Sequence, residues 1–166
     1  MEVSDIMVTS GDLWSYLNGN IVKGKDAAVP IFDRGLQWGD AVYDTIRTYD
    51  GSPFRLDYRT DRFYRSLYYT RIDIGMTKDE LKKAMYDVLE ANKEFMGPNQ
   101  DFSYNYYVSR ASLNIQDNGL TPASTVCIIP RVIPFASFAP LYISGAPGVA
   151  PPTRRTPPQS VSPKAK

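Results

Sequence analysis

The chain has 166 residues, 43% of them hydrophobic, and its 19 basic residues nearly balance its 18 acidic residues. This length and composition can build one domain with its own core, and a net charge of +1 gives no electrostatic reason to expect a nucleic-acid partner or a membrane surface. Histidine is absent, which excludes Ser-His-Asp and Cys-His catalysis and every His-ligated metal site. Any chemistry must therefore use lysine, arginine, tyrosine, carboxylates or a cofactor.

Strands are predicted at residues 13–22 and 41–49, with a loop that contains residues 33–40 between them. Asn18-Gly19 between two short apolar runs is a hairpin signal, because both residues accept a positive φ at low cost. Residues 41–49 alternate and are followed by Asp50-Gly51, which predicts a second hairpin. Because side chains alternate along a strand, residues 41–49 have two different faces. One face carries Tyr43, Thr45, Arg47 and Tyr49, and the other carries Val42, Asp44, Ile46 and Thr48.

Two helices are predicted next. The first runs from a possible N-cap at Asp57 to about Thr70. The second begins with the capping box of Thr77 and Glu80 and ends before Gly97-Pro98. Its apolar stripe has helical spacing and is interpreted as core packing: Leu81, Ala84, Met85, Val88 and Leu89.

Two further strands are predicted at residues 102–109 and 125–129, the second containing the only cysteine, Cys127. Cys127 is expected to be a buried, inert thiol in a reducing, cytoplasmic setting, and no export signal or membrane span is visible. Nine of the 13 prolines follow residue 129, which indicates a domain boundary. The predicted fold class is α+β. A small N-terminal α/β domain at residues 1–130, with a mixed sheet and two helices, would be followed by a connection at 131–140 and the start of a larger domain at 141–166.

Five segments, in this order, resemble the class IV (fold-type IV) aminotransferases, which depend on pyridoxal 5'-phosphate (PLP). They are Leu-Asn-Gly at 17–19, DRGLQWGD at 33–40, VYDTIRTY at 42–49, LDYRTDRFYRS at 56–66, and RRTPP at 154–158 continuing to PKAK at 163–166. The resemblance spans nearly the whole chain and includes branched-chain, D-amino-acid and (R)-amine transaminases. It implies that the second domain is incomplete, because the family's later cofactor contacts would follow residue 166. A fragment of this extent is expected to be inactive alone.

The resemblance also implies site residues. Lys166 matches the Schiff-base lysine, with Lys164 as its competitor, and Arg62 matches the arginine that binds the cofactor phosphate. A guanidinium suits that role because it forms bidentate, charge-assisted bonds to a dianion. The family usually has a histidine three residues before this arginine, where Arg59 stands here.

The substrate pocket implied by the resemblance includes Tyr43 and Arg47, while Trp38 matches a loop aromatic that can reach a partner subunit's site. Tyr104 and Tyr106 share a strand face and could also line the pocket, or could form an aromatic ladder in the core. Two family signatures for binding the substrate carboxylate are absent. Branched-chain enzymes often carry an arginine where Tyr106 stands, and D-amino-acid enzymes carry one within the segment occupied here by residues 111–115.

The expected function is that of a homodimeric transaminase, most similar to branched-chain enzymes, that moves an amino group between an amino acid or primary amine and a 2-oxo acid. The alternatives are an (R)-amine or D-amino-acid transaminase, a PLP lyase of the aminodeoxychorismate type, and a non-catalytic module. No metal site is expected. The amino donor, its handedness and the keto-acid acceptor stay open.

Overall fold

The computed structural model describes residues 9–98, 100–111, 124–154, 156–160 and 164. Its strands are β1 Trp14–Leu17, β2 Asn20–Lys23, β3 Ala41–Tyr49, β4 Ser52–Pro53, β5 Gln100–Ser109 and β6 Thr125–Pro134. Its α-helices are α1 Arg34–Trp38, α2 Leu56–Thr70, α3 Lys78–Ala91 and α4 Phe135–Ser144, and two short 3-10 helices occupy Gly24–Asp26 and Lys93–Phe95. The α+β class predicted from the sequence is confirmed.

One sheet joins the strands in the order β2-β1-β6-β5-β3-β4. Each pairing within the described ranges is antiparallel, whereas the sequence predicted a mixed sheet. The difference has a local cause, since β1 to β2 and β3 to β4 are joined by two-residue turns. Both turns have positive φ at each position, at Asn18 and Gly19 and at Asp50 and Gly51, which is the geometry of a type I′ hairpin.

Helices α2 and α3 cover one face of the sheet. The core forms between their apolar stripes and the buried side chains of the strands, which include Val42, Ile46, Phe102, Val108 and Ile128. Buried and more exposed residues alternate along β3 and β5, as their periodicity predicted. The opposite face of the sheet is left more polar and is called here the open face: Tyr43, Thr45 and Arg47 of β3, with Ser103, Asn105 and Tyr107 of β5.

The two long helices begin in different ways. Thr77 and Glu80 form the predicted capping box of α3, and four of the five predicted stripe residues are buried. Helix α2 begins at Leu56, so Asp57 lies in its first turn and the predicted N-cap there is wrong. Arg55 takes the cap position with a left-handed backbone and no side-chain hydrogen bond, which sequence pattern did not indicate.

Strand β6 continues through Pro130 to Pro134, beyond the predicted end of the strand. On one side it pairs with β5 along its whole length, but on the other side β1 pairs only with Cys127 and Ile128. Proline is tolerated at a strand edge that is not paired, because no N–H donor is needed there. Strand β6 can therefore continue through Pro130 to Pro134, beyond the part that pairs with β1. The sequence-based domain boundary near residue 130 stays a prediction. Cys127 is buried as expected, and burial raises the pKa of its thiol to about 11.

Candidate active site

The open face of the sheet brings Tyr43 and Arg47 together, two of the residues implied as pocket-lining. The two side chains lie on the same face of β3, separated by Thr45, and Tyr43 is 49% exposed. Between them, the Thr45 hydroxyl donates to Oδ1 of Asn105 at 2.6 Å. This face offers aromatic, cationic and hydrogen-bonding groups on a rigid strand, which is the kind of surface that can orient a small polar substrate.

Arg47 is held from several sides. Its guanidinium lies 4.7 Å from the ring centroid of Tyr49 and 3.9 Å from the Asp101 carboxylate. A hydrogen bond with Tyr142 of α4 raises the pKa of Arg47, and partial burial opposes that rise. The Nε atom of Arg47 is buried without a hydrogen-bond partner among the described residues, so one donor of this side chain is not satisfied there.

Helix α1, which ends in Trp38, lies on the same side of the sheet as Tyr43. A Cβ at Gly35 would overlap the Tyr107 hydroxyl, and Tyr107 pairs with Tyr43 across β5 and β3. Trp38 itself is 62% exposed and stacks with the Arg34 guanidinium at 4.8 Å. The structure therefore brings Trp38, Tyr43 and Arg47 to one side of the sheet.

Tyr104 and Tyr106 lie on the opposite, helix-covered face. Both are almost fully buried, and Tyr106 packs edge-to-face against Phe63 of α2 with ring centroids 4.7 Å apart. Their hydroxyls are buried without a hydrogen-bond partner among the described residues, and burial raises the pKa of each phenol well above its usual value. The structure does not bring these two residues to Tyr43 and Arg47, and their packing matches the core ladder that the sequence left as the alternative.

Arg62 meets a buried carboxylate that the sequence interpretation did not select. Its Nε donates to Oδ2 of Asp44 at 2.7 Å, and its Nη2 donates to Oδ1 of the same carboxylate. This bond to Asp44 raises the pKa of Arg62, against the effect of partial burial. One sequence signal could have identified Asp44, because it is the only carboxylate on the otherwise apolar or hydroxyl-bearing face of β3.

The donor set around Arg62 fits a phosphate dianion. The side chain of Arg62 is 29% exposed, and its bonds to Asp44 use Nε and Nη2, leaving Nη1 to donate elsewhere. A guanidinium carries five N–H donors, so it can bind a carboxylate on one edge and an anion on another. Lys166, the predicted Schiff-base lysine, lies outside the described residues.

A second ionic group connects the loop after α1 to α2. Oδ2 of Asp40 accepts from Nε of Arg34 at 2.7 Å and from Nε of Arg110 at 3.0 Å. Arg110 also donates to the carbonyls of Thr70 and Arg71 at the C-terminal end of α2. The position of Trp38 is thereby coupled to the end of the helix that carries Arg62.

The Asp40 group is expected to make stability fall in acid. Burial alone would raise the pKa of Asp40, but the hydrogen bonds from Arg110 and Arg34 outweigh it and lower the pKa below 3.8. A carboxyl with a lowered pKa in the folded state contributes stability above its ordinary pKa, and that contribution is lost as the pH falls through the lowered value. In urea unfolding followed from pH 7 down to pH 3, Asp40→Asn should be less stable at pH 7 by about 1–2 kcal/mol, and the difference should shrink in acid. An equal difference at both ends of this range would contradict the assignment.

Comparison with known proteins identifies the family. The family model for amino-transferase class IV matches residues 41–166. The chain belongs to the class IV aminotransferases. A protein named as a branched-chain-amino-acid aminotransferase in Methanocaldococcus jannaschii is 46% identical over 77 residues, covering 46% of this chain and 27% of that protein. D-alanine aminotransferase of Bacillus licheniformis is 38% identical over 76 residues, with the same shares.

Aminodeoxychorismate lyase of Bacillus subtilis is also similar, at 35% identity over 77 residues, covering 46% of this chain and 26% of the lyase. Among solved structures, the branched-chain amino acid aminotransferase from Escherichia coli matches with a TM-score of 0.61 at 22% identity, covering 74% of this chain and 41% of that one. The branched-chain aminotransferase of Thermoproteus uzoniensis with norvaline gives 0.57 at 27% identity, with shares of 75% and 41%. The matched part thus spans about a quarter of the curated relatives and about two fifths of the solved chains.

Within the described ranges, none of the helices combines the length and the apolar character needed to cross a membrane. The same part of the chain contains no group of three or more His, Cys, Asp or Glu side chains arranged to hold a metal ion.

Proposed function

We propose that the protein containing this chain is a PLP-dependent transaminase of the branched-chain type, which moves an amino group between an amino acid or primary amine and a 2-oxo acid. The observation that carries the proposal is the position of Arg62. It lies on helix α2, in the sequence motif that the family uses to bind the cofactor phosphate. Its Nε and Nη2 donate to Asp44, and its Nη1 stays available to donate to a phosphate. The similarity to a branched-chain aminotransferase supports this substrate class.

The roles of the residues follow from their chemistry. When bound, the cofactor's pyridine ring accepts the electron pair left on the substrate α-carbon after proton removal. Lys166 is proposed to attach the cofactor and to move that proton as a free amine. Arg62 is proposed to anchor the phosphate, Tyr43 and Arg47 to orient the substrate on the open face, and Trp38 to reach the substrate site of a partner subunit. We assign Tyr104 and Tyr106 to packing beneath the sheet, on the face opposite the open face, because both are buried in the core.

A homodimer is part of the proposal. Four apolar side chains are more than 60% exposed in and just before α1: Ile31, Phe32, Leu36 and Trp38. Clustered exposed apolar residues of this kind mark protein interfaces more often than free surface. The solution mass tests this step, and a monomer at micromolar concentration would contradict it. A cytoplasmic location stays a prediction.

A half-reaction tests the transaminase directly. The protein with bound PLP is expected to lose its visible absorbance when a branched-chain amino donor is added, and to regain it when a 2-oxo acid follows. A panel of L- and D-amino acids and (R)-amines identifies the donor class. Absence of any spectral change with every donor would overturn the proposal.

The second candidate is a lyase of the aminodeoxychorismate type, favoured by the 35% identity to the Bacillus subtilis lyase. A lyase releases pyruvate from aminodeoxychorismate without an amino acceptor, whereas a transaminase needs both half-reactions. Pyruvate release in the absence of any 2-oxo acid would therefore favour the lyase over the transaminase.

A further inference from the structure

Asp44 is a buried carboxylate shared by two arginines. Its side chain is 2% exposed, and Nη1 of Arg59 lies 3.7 Å from the same Oδ1 atom that accepts from Arg62. The backbone N–H of Thr45 donates to that oxygen as well, at 2.7 Å. Burying a carboxylate costs free energy unless the charge is paired. The pairing with Asp44 therefore favours a conformation in which both guanidinium groups stay close to this carboxylate.

The spacing of the two arginines places both side chains on the side of α2 that faces Asp44. Arg59 and Arg62 are three residues apart on α2, which places them on one side of the helix. Arg62 is hydrogen-bonded to Asp44 and Arg59 is ion-paired with it, and their side chains are 29% and 33% exposed, so both stay partly open to solvent. Two positive charges face one negative charge, and the group therefore keeps a net positive charge at a partly exposed position. Such a group attracts an anion.

We propose that Arg59 is a second phosphate-binding arginine beside Arg62, and that Asp44 is the positioning residue for both. This inference rests on the proposed function, because it takes the anion to be the phosphate of PLP. An arginine at position 59 stays charged throughout the physiological pH range, whereas a histidine would lose its charge near pH 6.5. This chain would thus hold the phosphate with two permanent cations.

The test compares two ligands that differ only in the phosphate. Dissociation constants for PLP and for pyridoxal, which lacks the phosphate, are measured in the full protein with and without Arg59→Gln. Loss of one charge-assisted contact is expected to weaken PLP binding about 10-fold, and pyridoxal binding should stay within about twofold. Arg65→Gln is the matched control, because Arg65 is an exposed arginine on the same helix; its substitution should leave both constants unchanged.

A pH profile adds a readout that a structural role would not affect. In Arg59→His, the preference for PLP over pyridoxal should fall between pH 6 and pH 8 more steeply than in the wild type, because the imidazole loses its charge over that range. Parallel profiles for the two proteins would overturn the role of Arg59.

Asp44→Asn distinguishes a positioning role of Asp44 from a simple effect of its negative charge on PLP binding. Removing a negative charge near a phosphate should tighten PLP binding if only net charge mattered. The positioning role instead predicts weaker PLP binding, about 10-fold, because both guanidinium groups lose their anchor. Tighter binding would overturn this role, and Asp44→Glu should restore part of the affinity if the carboxylate is the anchor. Should Asp44→Asn fail to fold, Asp44→Ser takes its place, because it also removes the carboxylate, and PLP binding at or above the wild-type affinity in that variant would overturn the role.

The outcomes also distinguish the two levels of the proposal. A wild-type protein that binds neither PLP nor pyridoxal contradicts the proposed function itself. A wild type that prefers PLP strongly, with Arg59→Gln unchanged in that preference, overturns the two-arginine site and leaves the proposed function standing.

Discussion

If Lys166 has its proposed role, Lys166→Ala is expected to remove covalent cofactor attachment and to lower the proposed transaminase activity about 1,000-fold or more, since in that role the lysine supplies both the amine that binds the cofactor and a proton-transfer group. Only a primary amine can condense with the cofactor aldehyde, with loss of water, so alanine leaves PLP bound by non-covalent contacts alone. Peptide mass spectrometry after borohydride reduction measures the attachment and identifies the modified lysine. Activity is measured in parallel with the best amino donor.

Lys164→Ala is the matched control, because Lys164 stands two residues away and competes for the same assignment. Its Nζ lies 5.7 Å from the ring centroid of Tyr69, an exposed tyrosine on α2. Losing this surface contact should leave the reduced adduct and the activity within about twofold of the wild type. An adduct on Lys164 would move the Schiff-base assignment to that residue, and an adduct on neither lysine would count against PLP chemistry in this protein.

The parts of the fold that sequence predicted well are those set by neighbouring residues. The Asn18-Gly19 and Asp50-Gly51 turns formed as expected, because positive φ at both turn positions depends on those residue types alone. The capping box at Thr77 is likewise complete within four residues. Strand β6 was predicted too short, because the tolerance of Pro130 depends on where β1 stops pairing, which involves residues more than 100 positions earlier.

The candidate site shows the same limit more clearly. Alternation correctly grouped Tyr43 with Arg47, and Tyr104 with Tyr106, within each strand. It could not establish which face of β5 adjoins which face of β3, because that depends on the register between strands. The register pairs Tyr43 with Tyr107 and Asp44 with Tyr106, so the two groups lie on opposite faces.

The contact between Arg62 and Asp44 depends on tertiary packing in another way. Helix α2 must lie over β3 before an arginine of the helix can reach a carboxylate of the strand. Neither the helical period of α2 nor the alternation along β3 predicts that the two elements pack together. Asp44 was visible in the sequence as a lone carboxylate between Val42 and Ile46. A charged residue on an apolar face implies a buried partner, and Arg59 and Arg62 are the partners found.

Asp33→Ala is expected to lower the free energy of unfolding by about 3 kcal/mol, because the buried Asp33 carboxylate joins three separate parts of the chain. It accepts from the backbone of Gly35 at 2.8 Å, from the Ser109 hydroxyl of β5 at 2.6 Å and from the Thr125 hydroxyl of β6 at 2.9 Å. Alanine would leave those two buried hydroxyls without this acceptor and would free the start of α1, and with it Trp38.

Asp73→Ala is the matched control for this substitution. Asp73 also accepts from the backbone of a glycine two residues later, Gly75, at 2.9 Å, but the contact is exposed. The local turn is therefore similar in both places, and the difference between the two variants isolates the buried bonds to Ser109 and Thr125. Urea unfolding at pH 7 should give a loss within about 0.5 kcal/mol for Asp73→Ala. Equal losses for the two variants would mean that the turn alone matters, and that Asp33 does not hold α1 to the sheet.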